Sequence, residues 1–387
     1  MKSFYAVIGQ MILSGSNYLV FLIFTFLLGE ADFIGFSTAV ALNILAYAIA
    51  EGGVSYVAPR EISRKDSTRA ILSGGFIGFS IALYLLSLLV GFFLWNIFSK
   101  DSLSSYWVIA YALYFFPVLI IPSWATCWSI DIVKLIVLAS FRGGSVLIVY
   151  LLPSLMGLYL SGIFFMSFTV FFVIWLNRSS QVFALPNKKS LHVAINKVME
   201  VFLSKTSSYV VYSLIPLVVA SIYGNRVSSL YLVGERVKSM YSTFFQPLIQ
   251  TVYLAINKKE VGKLNTKYPA YIVFLNIALT FILLLFIFFG GAKYLGDRFN
   301  AVSNLHFYII AACFSILTSC LLYFKVLPTG NYRLFRVATY FQMITFIVLF
   351  VIMRFSSFLL PEIVLLIGEF SILSIVSFQL FYKINKK

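Results

Sequence analysis

The residues most able to do chemistry lie in a long apolar stretch in the second half of the chain. Glu235, Arg236 and Lys238 fall within LYLVGERVKSMYSTFFQPLIQTVY, which runs from residue 230 to residue 253. Three charges facing lipid would cost about 8 to 10 kcal/mol on insertion scales, and the neighbouring Leu, Ile, Phe and Val residues would not offset that cost. These side chains are therefore expected to face a protein interior or a wet cavity.

The spacing of these three residues leaves two interpretations open. At about 100° per residue, Arg236 and Lys238 lie on opposite sides of Glu235 along a helix. Glu235 and Lys238 can pair at i,i+3, which would leave Arg236 without a local partner. The cluster is then either a cationic lining for an anionic substrate or a buried structural ion pair. Lys205, on the preceding predicted helix, either contributes to the same lining or extends to the membrane interface.

Other polar residues within apolar stretches are candidates for the same cavity. Asn17 and Asn43 carry amides that need partners in lipid, so they either line the cavity or form hydrogen bonds between helices. Tyr231 has a ring that can stack on a sugar. Glu369, in the last apolar stretch, is interpreted as a polar residue of helix packing.

A second carboxylate with two possible roles lies near the end of the second apolar stretch. Glu51 precedes Gly52 and Gly53. It is either a coupling carboxylate that exchanges a proton or a helix-end group paired with Arg60 or Arg64. The sequence does not choose between these roles.

The composition requires a membrane protein. Hydrophobic residues make up 61% of the 387 residues, charged residues only 11%, and the mean hydropathy is +0.97. A soluble globule cannot cover its surface with so few charges, and a chain in lipid must pair every backbone group within helices or a closed barrel. We predict an all-α polytopic protein of about twelve transmembrane helices, at residues 4–28, 33–58, 71–98, 105–122, 136–153, 157–176, 199–223, 227–254, 268–290, 304–324, 337–354 and 359–382.

The basic residues predict the orientation of these spans. The formal net charge is +16, but Lys and Arg are dispersed among short connections and do not form one basic domain, which argues against nucleic acid as a partner. Most of the Lys and Arg residues, including Lys134 and Arg142, are counted on the membrane side that holds the N-terminus. Because connections rich in Lys and Arg usually lie in the cytoplasm, both termini are expected to be cytoplasmic. The connections predicted on the opposite side are all short.

An internal repeat predicts two six-helix halves. LLGEADFIGF aligns with IYGNRVSSLY, so that Gly29 and Phe36 match Gly224 and Tyr231, 195 residues later. Parallel repeats of this kind build known transporters. We expect an N-terminal half at residues 1–178, a cytoplasmic basic linker at 179–198 that touches anionic headgroups, and a C-terminal half at 199–387.

The sequence carries no pattern typical of an enzyme. It has no nucleophile with a base, no paired acidic motif and no glycine-rich phosphate loop, so we expect a non-enzyme without a cofactor. His192 and His306 have no Cys, Asp or Glu at ligand spacing, so we expect no metal site.

Several short motifs resemble one family of transporters. In the first half these are Leu28-Gly29 followed by Phe33 and Gly35, then Glu51-Gly52 and Arg60-Glu61. In the second half they are Tyr231, Gly234 to Val237, and Pro247. The chain resembles the polysaccharide (O-antigen) flippases of the multidrug/oligosaccharidyl-lipid/polysaccharide (MOP) superfamily.

The resemblance implies a specific substrate and compartment. Such a flippase moves an undecaprenyl-diphosphate-linked oligosaccharide, a precursor of O-antigen or capsule, across the bacterial inner membrane by alternating access. It implies membrane lipids, a glycan polymerase and a chain-length regulator as partners. An embedded Arg and Lys suit a diphosphate.

Three other functions remain possible at this point. A cation-coupled multidrug exporter of the same superfamily is expected to carry embedded acidic residues, whereas the cluster at Arg236 and Lys238 is net basic. A peptidoglycan-precursor flippase is usually longer. A membrane glycan polymerase or ligase generally needs a large outer loop, which the predicted topology lacks.

Overall fold

The structure is a computed structural model that describes most of the chain. The described residues are 2–63, 69–98, 105–121, 131–180, 184–257, 267–295, 301–302, 304–327, 332–355 and 360–384, and for some helical residues, among them 203–213, the backbone alone is described. Within these ranges the chain is helical and contains no strand. This confirms the predicted all-α class.

The α-helices follow one another with short connections. In the first half they are α1 (Lys2–Leu27), α2 (Glu30–Glu51), α3 (Val54–Ser63), α4 (Arg69–Phe98), α5 (Ser105–Ile120), α6 (Ile132–Leu151) and α7 (Leu155–Ser180). In the second half they are α8 (Lys188–Tyr223), α9 (Asn225–Asn257), α10 (Lys267–Phe288), α11 (Leu305–Leu321), α12 (Tyr332–Phe355) and α13 (Pro361–Ile384). A 3-10 helix at Gly291–Leu295 follows α10, and a π-helical turn at Leu322–Val326 extends α11.

Many of these helices are long and apolar enough to cross a membrane. Within the described residues, eight meet a strict length and hydropathy requirement, and shorter apolar helical stretches lie at Met11–Leu27, Ser105–Ile120 and Leu214–Tyr223. The long helix α9 falls outside both groups, and it carries the charges Glu235, Arg236 and Lys238. The chain is a multi-pass membrane protein.

The chain forms two compact units, at residues 1–202 and 203–387, that share one helix order. In the first unit α2 packs on α4 and α5, and α7 packs on α5 and α6. In the second unit α9 packs on α10 and α11, and α13 packs on α11 and α12. The matched glycines of the repeat, Gly29 and Gly224, each lie one residue before the helix that leads this arrangement. The two units are therefore pseudo-symmetric.

The helix boundaries differ from the predicted spans at two places. The predicted span 33–58 is broken into α2 and α3, because Gly52 and Gly53 adopt φ of 40° and 93°, values that L side chains rarely adopt. The predicted linker 179–198 is partly helical, since α8 begins at Lys188. A reciprocal cap starts α8, in which the Ser190 N–H donates to Asn187 Oδ1 (2.8 Å) and the Asn187 N–H donates to Ser190 Oγ (3.1 Å).

An asparagine joins three helices of the first unit. Asn43 on α2 is fully buried, and its amide nitrogen donates to the carbonyl oxygens of Ala39 (2.8 Å) and Val108 on α5 (3.4 Å). The Tyr84 hydroxyl on α4 donates to Asn43 Oδ1 over 2.5 Å. Asn43 was predicted to line a cavity or to pair between helices, and the structure shows the second arrangement.

We expect Asn43→Leu to lower the free energy of unfolding by about 1 to 3 kcal/mol, because it leaves the buried Tyr84 hydroxyl without an acceptor. Denaturant unfolding in detergent micelles measures this change. The matched control is Asn43→Leu/Tyr84→Phe, which removes both polar groups and should recover most of the loss. Equal stability of Asn43→Leu and the wild type would contradict this role.

Candidate functional site

The charged cluster of α9 lies in the interior of the second unit. Glu235 is buried, Arg236 is partly buried, and Arg236 Nη2 lies 3.1 Å from Glu235 Oε2. The Ser239 hydroxyl, one turn further along α9, donates to Glu235 Oε1 over 2.6 Å. Glu235 therefore pairs with its sequence neighbour Arg236, which the i,i+3 spacing alone did not indicate.

The partner of Lys238 comes from another helix. Lys238 is buried, and its Nζ lies 2.5 Å from Oε1 of Glu369, which is buried on α13. This contact agrees with the sequence interpretation of Glu369 as a polar residue of helix packing, and it adds that the contact is ionic. This ion pair joins α9 to α13 inside the unit.

A third buried carboxylate lies in the same unit. The residues of α9 alone suggested a net basic cluster, but the buried charges of the whole described unit are not net basic. Glu362, near the start of α13, is 5% exposed and its Oε1 accepts from Asn304 Nδ2 over 3.2 Å. Together with Glu235 and Glu369 it gives three carboxylates on α9 and α13 against Arg236 and Lys238. The two cations proposed to bind substrate are matched by protein carboxylates in this structure.

The aromatic candidate of the repeat packs beside this cluster. Tyr231 is buried with its ring 5.8 Å from the ring of Tyr308 on α11, and its hydroxyl has no hydrogen-bond partner among the described residues. Gly234, one turn later on α9, lets the Tyr308 ring approach the backbone, since a Cβ there would lie 2.5 Å from that ring. Close packing of α9 on α11 therefore depends on the absence of a side chain at Gly234.

We expect Gly234→Ala to lower the free energy of unfolding by about 1 to 3 kcal/mol through overpacking, because the buried Tyr308 ring has no free space to move into. The control is Gly143→Ala on α6, where a Cβ meets nothing within 4 Å and the change should be neutral or stabilising by up to about 1 kcal/mol. Thermal unfolding of both variants measures the difference. Similar midpoints for the two would contradict the close contact.

The first unit contains a buried cation that the sequence reasoning misplaced. Arg142 was counted with the basic residues on the side of the N-terminus, yet the structure places it in the middle of α6 with no exposed surface. Its Nε donates to the Ser16 hydroxyl and its Nη2 donates to Asn17 Oδ1, both on α1. The signal was present in the sequence, since Arg142 lies inside the predicted span 136–153.

Two aromatic rings pack against the Arg142 guanidinium. The rings of Tyr114 on α5 and Phe165 on α7 each lie 4.2 Å from its central carbon. The Tyr114 hydroxyl also lies 3.3 Å from the Ser16 carbonyl oxygen and donates to it. Arg142 thus contacts side chains of α1, α5 and α7 from its own position on α6, and its Nη1 has no hydrogen-bond partner among the described residues.

The charge of Arg142 has no buried carboxylate opposite it in the described part of the first unit. The buried polar and charged side chains there are Ser, Thr, Asn, Lys134 and Arg142. The neighbouring layer on one side is apolar, formed by Leu13, Leu138, Phe165 and residues that pack with them. The other buried cation, Lys134, lies near the start of α6, 3.5 Å from Asp131.

The N-terminus of α6 is fixed by a cap outside the membrane-spanning segment. The Lys134 N–H donates to the Asp131 carboxylate over 3.0 Å, and this bond lowers the pKa of the Asp131 carboxyl below its ordinary value. Because α6 begins in this defined way, the register that brings Arg142 against α1 is also defined.

The remaining predicted residues are placed as follows. Asn17 lies beside Arg142 and accepts its hydrogen bond. Glu51 is the last residue of α2 and is half-buried, while Arg64 and the side chain of Arg60, its expected partners, lie outside the described residues. Lys205 lies on α8, but its side chain is also outside the described set. The roles of Glu51 and Lys205 stay predictions.

Comparisons with known proteins give the fold. No family model matches the chain, and no curated protein matches it. Among solved structures, a eukaryotic MATE transporter matches with a TM-score of 0.70 at 13% identity over 100% of this chain and 95% of that one. An inward-facing multidrug resistance MATE transporter of the MOP superfamily matches with a TM-score of 0.67 at 14% identity over 100% and 99%.

A further solved structure differs from these in the polarity of its pocket. A MOP superfamily transporter from Pyrococcus furiosus, described as having a binding pocket of reverse polarity that suggests a different function, matches with a TM-score of 0.67 at 15% identity over 100% of this chain and 95% of that one. At these identities the likeness concerns architecture. The chain has the fold of the MATE transporters of the MOP superfamily.

Proposed function

We propose that this chain is a transporter that moves an undecaprenyl-diphosphate-linked oligosaccharide across a bacterial inner membrane by alternating access. The observation that carries the proposal is Arg142, a fully buried cation in a unit whose described interior has no buried carboxylate. The fold and the motifs near Gly29 and Tyr231 support a transporter. The charge of Arg142 supports an anionic substrate.

The environment of Arg142 keeps its charge in the membrane interior without a counter-ion. A guanidinium does not lose its proton in a protein, so burial must be offset by contacts. Contact with a desolvated ring contributes about 2 kcal/mol, and a hydrogen bond from a charged group contributes about 1.5 to 3 kcal/mol. Ser16, Asn17, Tyr114 and Phe165 supply these contacts.

The same contacts leave one edge of the guanidinium for an anion. The rings of Tyr114 and Phe165 pack against the guanidinium, and its Nε and Nη2 atoms donate to Ser16 and Asn17. Nη1 remains as the donor for a phosphate oxygen. Arg binds phosphate with a strong directional bond, and the diphosphate is the part of this substrate that cannot enter hydrocarbon unaided. Opening of the surrounding helices during transport would expose this edge.

The second unit has a different role in this proposal. Arg236 is paired with Glu235 on the same helix, and Lys238 is paired with Glu369, so we infer that the second pair holds α9 and α13 together. The proposal places both termini in the cytoplasm. The partners it implies are membrane lipids, a glycan polymerase and a chain-length regulator.

A multidrug exporter is the second candidate, favoured by two observations. The inward-facing structure with the same fold is a multidrug resistance transporter. The second unit also buries Glu235, Glu362 and Glu369, and buried carboxylates suit a cationic drug. The described residues contain no group of three or more His, Cys, Asp or Glu that would hold a metal ion.

The experiment is a deletion of the gene in its own bacterium, complemented with wild type, Arg142→Gln or Arg354→Gln. We expect deletion to abolish surface glycan and to leave single lipid-linked repeat units on the cytoplasmic leaflet. Arg142→Gln should fail to restore glycan. Arg354→Gln, which removes an exposed arginine from the end of α12, should restore it.

Three outcomes would reject the proposal. Repeat units that reach the outer leaflet but stay unpolymerised indicate a polymerase. Unchanged glycan with increased drug sensitivity indicates the exporter. Full restoration by Arg142→Gln removes Arg142 from substrate recognition.

A further inference from the structure

The segment that leads into α8 is fastened to the start of α4. The Ala184 N–H donates to the Ala70 carbonyl oxygen over 3.2 Å. Three glycines of α4 make room for it: a Cβ would lie 2.0 Å from Ala184 O at Gly74, 2.5 Å from Ser190 O at Gly75 and 2.9 Å from Pro186 Cβ at Gly78. The segment is therefore held beside the first two turns of a membrane span.

The first part of α8 extends beyond the hydrocarbon core. With 36 residues, α8 is about 54 Å long, whereas a core of about 30 Å needs only about 20 residues. All the charged residues of α8 lie in its first half, at or before Lys205, so the excess length belongs to the end that begins at Lys188. Together with the contact to α4, this places residues 184–199 at a membrane surface.

This part of α8 has three distinct faces. Ser190, Ala194 and Val198 are buried and recur every four residues. Ile195 and Met199 are exposed apolar residues on the adjoining face, 40% and 53% exposed. The rest of the surface is polar and basic.

The charge of this surface has one sign. Lys188, Lys189 and Lys197 are exposed, as is Arg178 at the end of α7. The sequence from residue 178 to residue 199 contains no Asp or Glu. Leu185 in the fastened segment is 90% exposed, so apolar and basic groups alternate along the same surface.

We propose that the surface formed by Leu185 and residues 188–199 of α8 binds anionic phospholipid headgroups. Ile195, Met199 and Leu185 enter the acyl boundary, and Lys188, Lys189 and Lys197 bind the phosphates above them. This inference does not depend on the transported substrate. It assigns a lipid to a surface that is separate from Arg142 in the interior of the first unit.

The test compares two charge-matched variants of the purified full-length chain in nanodiscs of phosphatidylcholine and phosphatidylglycerol. The first is Lys188→Gln/Lys189→Gln/Lys197→Gln, and the second is Lys293→Gln/Lys325→Gln/Arg354→Gln, which removes three other exposed cations. Native mass spectrometry counts the phosphatidylglycerol molecules retained after extraction. A spin label or dye at Leu185→Cys, in a background without the native cysteines, reports the depth of the segment.

We expect the first variant to lose phosphatidylglycerol retention by about tenfold or more and the second to keep it, because each lysine near an anionic surface contributes independently. Added salt should weaken the wild-type preference, and inorganic phosphate should not replace the lipid. Equal retention by the first variant and the wild type would overturn the proposal, as would equal loss in both variants.

Discussion

Arg142→Met is expected to abolish transport while the free energy of unfolding stays within about 2 kcal/mol of the wild type. The variant removes a buried charge, which often has a neutral or stabilising effect, and it keeps most of the volume between Tyr114 and Phe165. Against this, it leaves Asn17 Oδ1 without its donor. Loss of transport with nearly unchanged stability would mean that Arg142 serves recognition of the substrate and not stability of the fold.

Two measurements separate recognition from a structural role. Complementation of surface glycan reports transport, and denaturant unfolding of the purified protein reports stability. Arg142→Lys keeps the charge but loses the planar group between the rings, so we expect partial transport. A methionine variant that unfolds easily and transports in proportion to its folded amount would identify Arg142 as a structural group.

Glu369→Gln is expected to lower the free energy of unfolding by about 3 to 5 kcal/mol, because it leaves Lys238 charged and buried without its ionic partner. The double variant Lys238→Met/Glu369→Leu replaces both charges by apolar groups and should have nearly wild-type stability. The two residues lie on α9 and α13, so the loss would weaken the packing of the second unit.

A double-mutant cycle of Lys238→Met, Glu369→Leu and the double variant tests this pairing directly. We expect the double variant to be more stable than either single variant, which corresponds to a strong coupling energy. Additive losses would contradict the ion pair. The cycle is best done by denaturant unfolding in detergent, with expression level as an independent check.

The sequence predicted much of the architecture because the physical signals are local. Apolar length set the spans, and the break in the apolar run near Pro153 is present as residues 152–154 between α6 and α7. The repeat alignment placed Gly29 and Gly224 at equivalent helix starts. Helices in lipid satisfy their own backbone, so these features need no knowledge of tertiary contacts.

The pairing of buried charges was less predictable because it depends on distant residues. Lys238 and Glu369 are 131 positions apart, and only the packing of α13 brings them together. The i,i+3 spacing favoured Glu235 as the partner of Lys238, but in the structure Lys238 forms an ion pair with Glu369 on another helix. The repeat offset of 195 places Asn43 and Lys238 at equivalent positions, yet one residue forms neutral hydrogen bonds and the other an ion pair.

Arg142 was misplaced for a related reason. Basic residues near the ends of apolar runs usually lie in loops, and this prior outweighed its position inside a predicted span. What stabilises Arg142 in the interior is the pair of rings from Tyr114 and Phe165, which lie on α5 and α7. A search for arginines inside predicted spans, without assigning them to loops, would have found it.

The most direct test of the account is the binding of a soluble prenyl diphosphate to the purified protein, measured by calorimetry for wild type and Arg142→Met. Tetraphenylphosphonium, a lipophilic cation, serves as the opposite-charge probe. We predict that wild type binds the diphosphate in preference to the cation and that Arg142→Met loses about tenfold to 100-fold in diphosphate affinity, as expected for one charge-assisted hydrogen bond. Equal diphosphate affinity in both proteins, or a wild-type preference for the cation, would contradict the account.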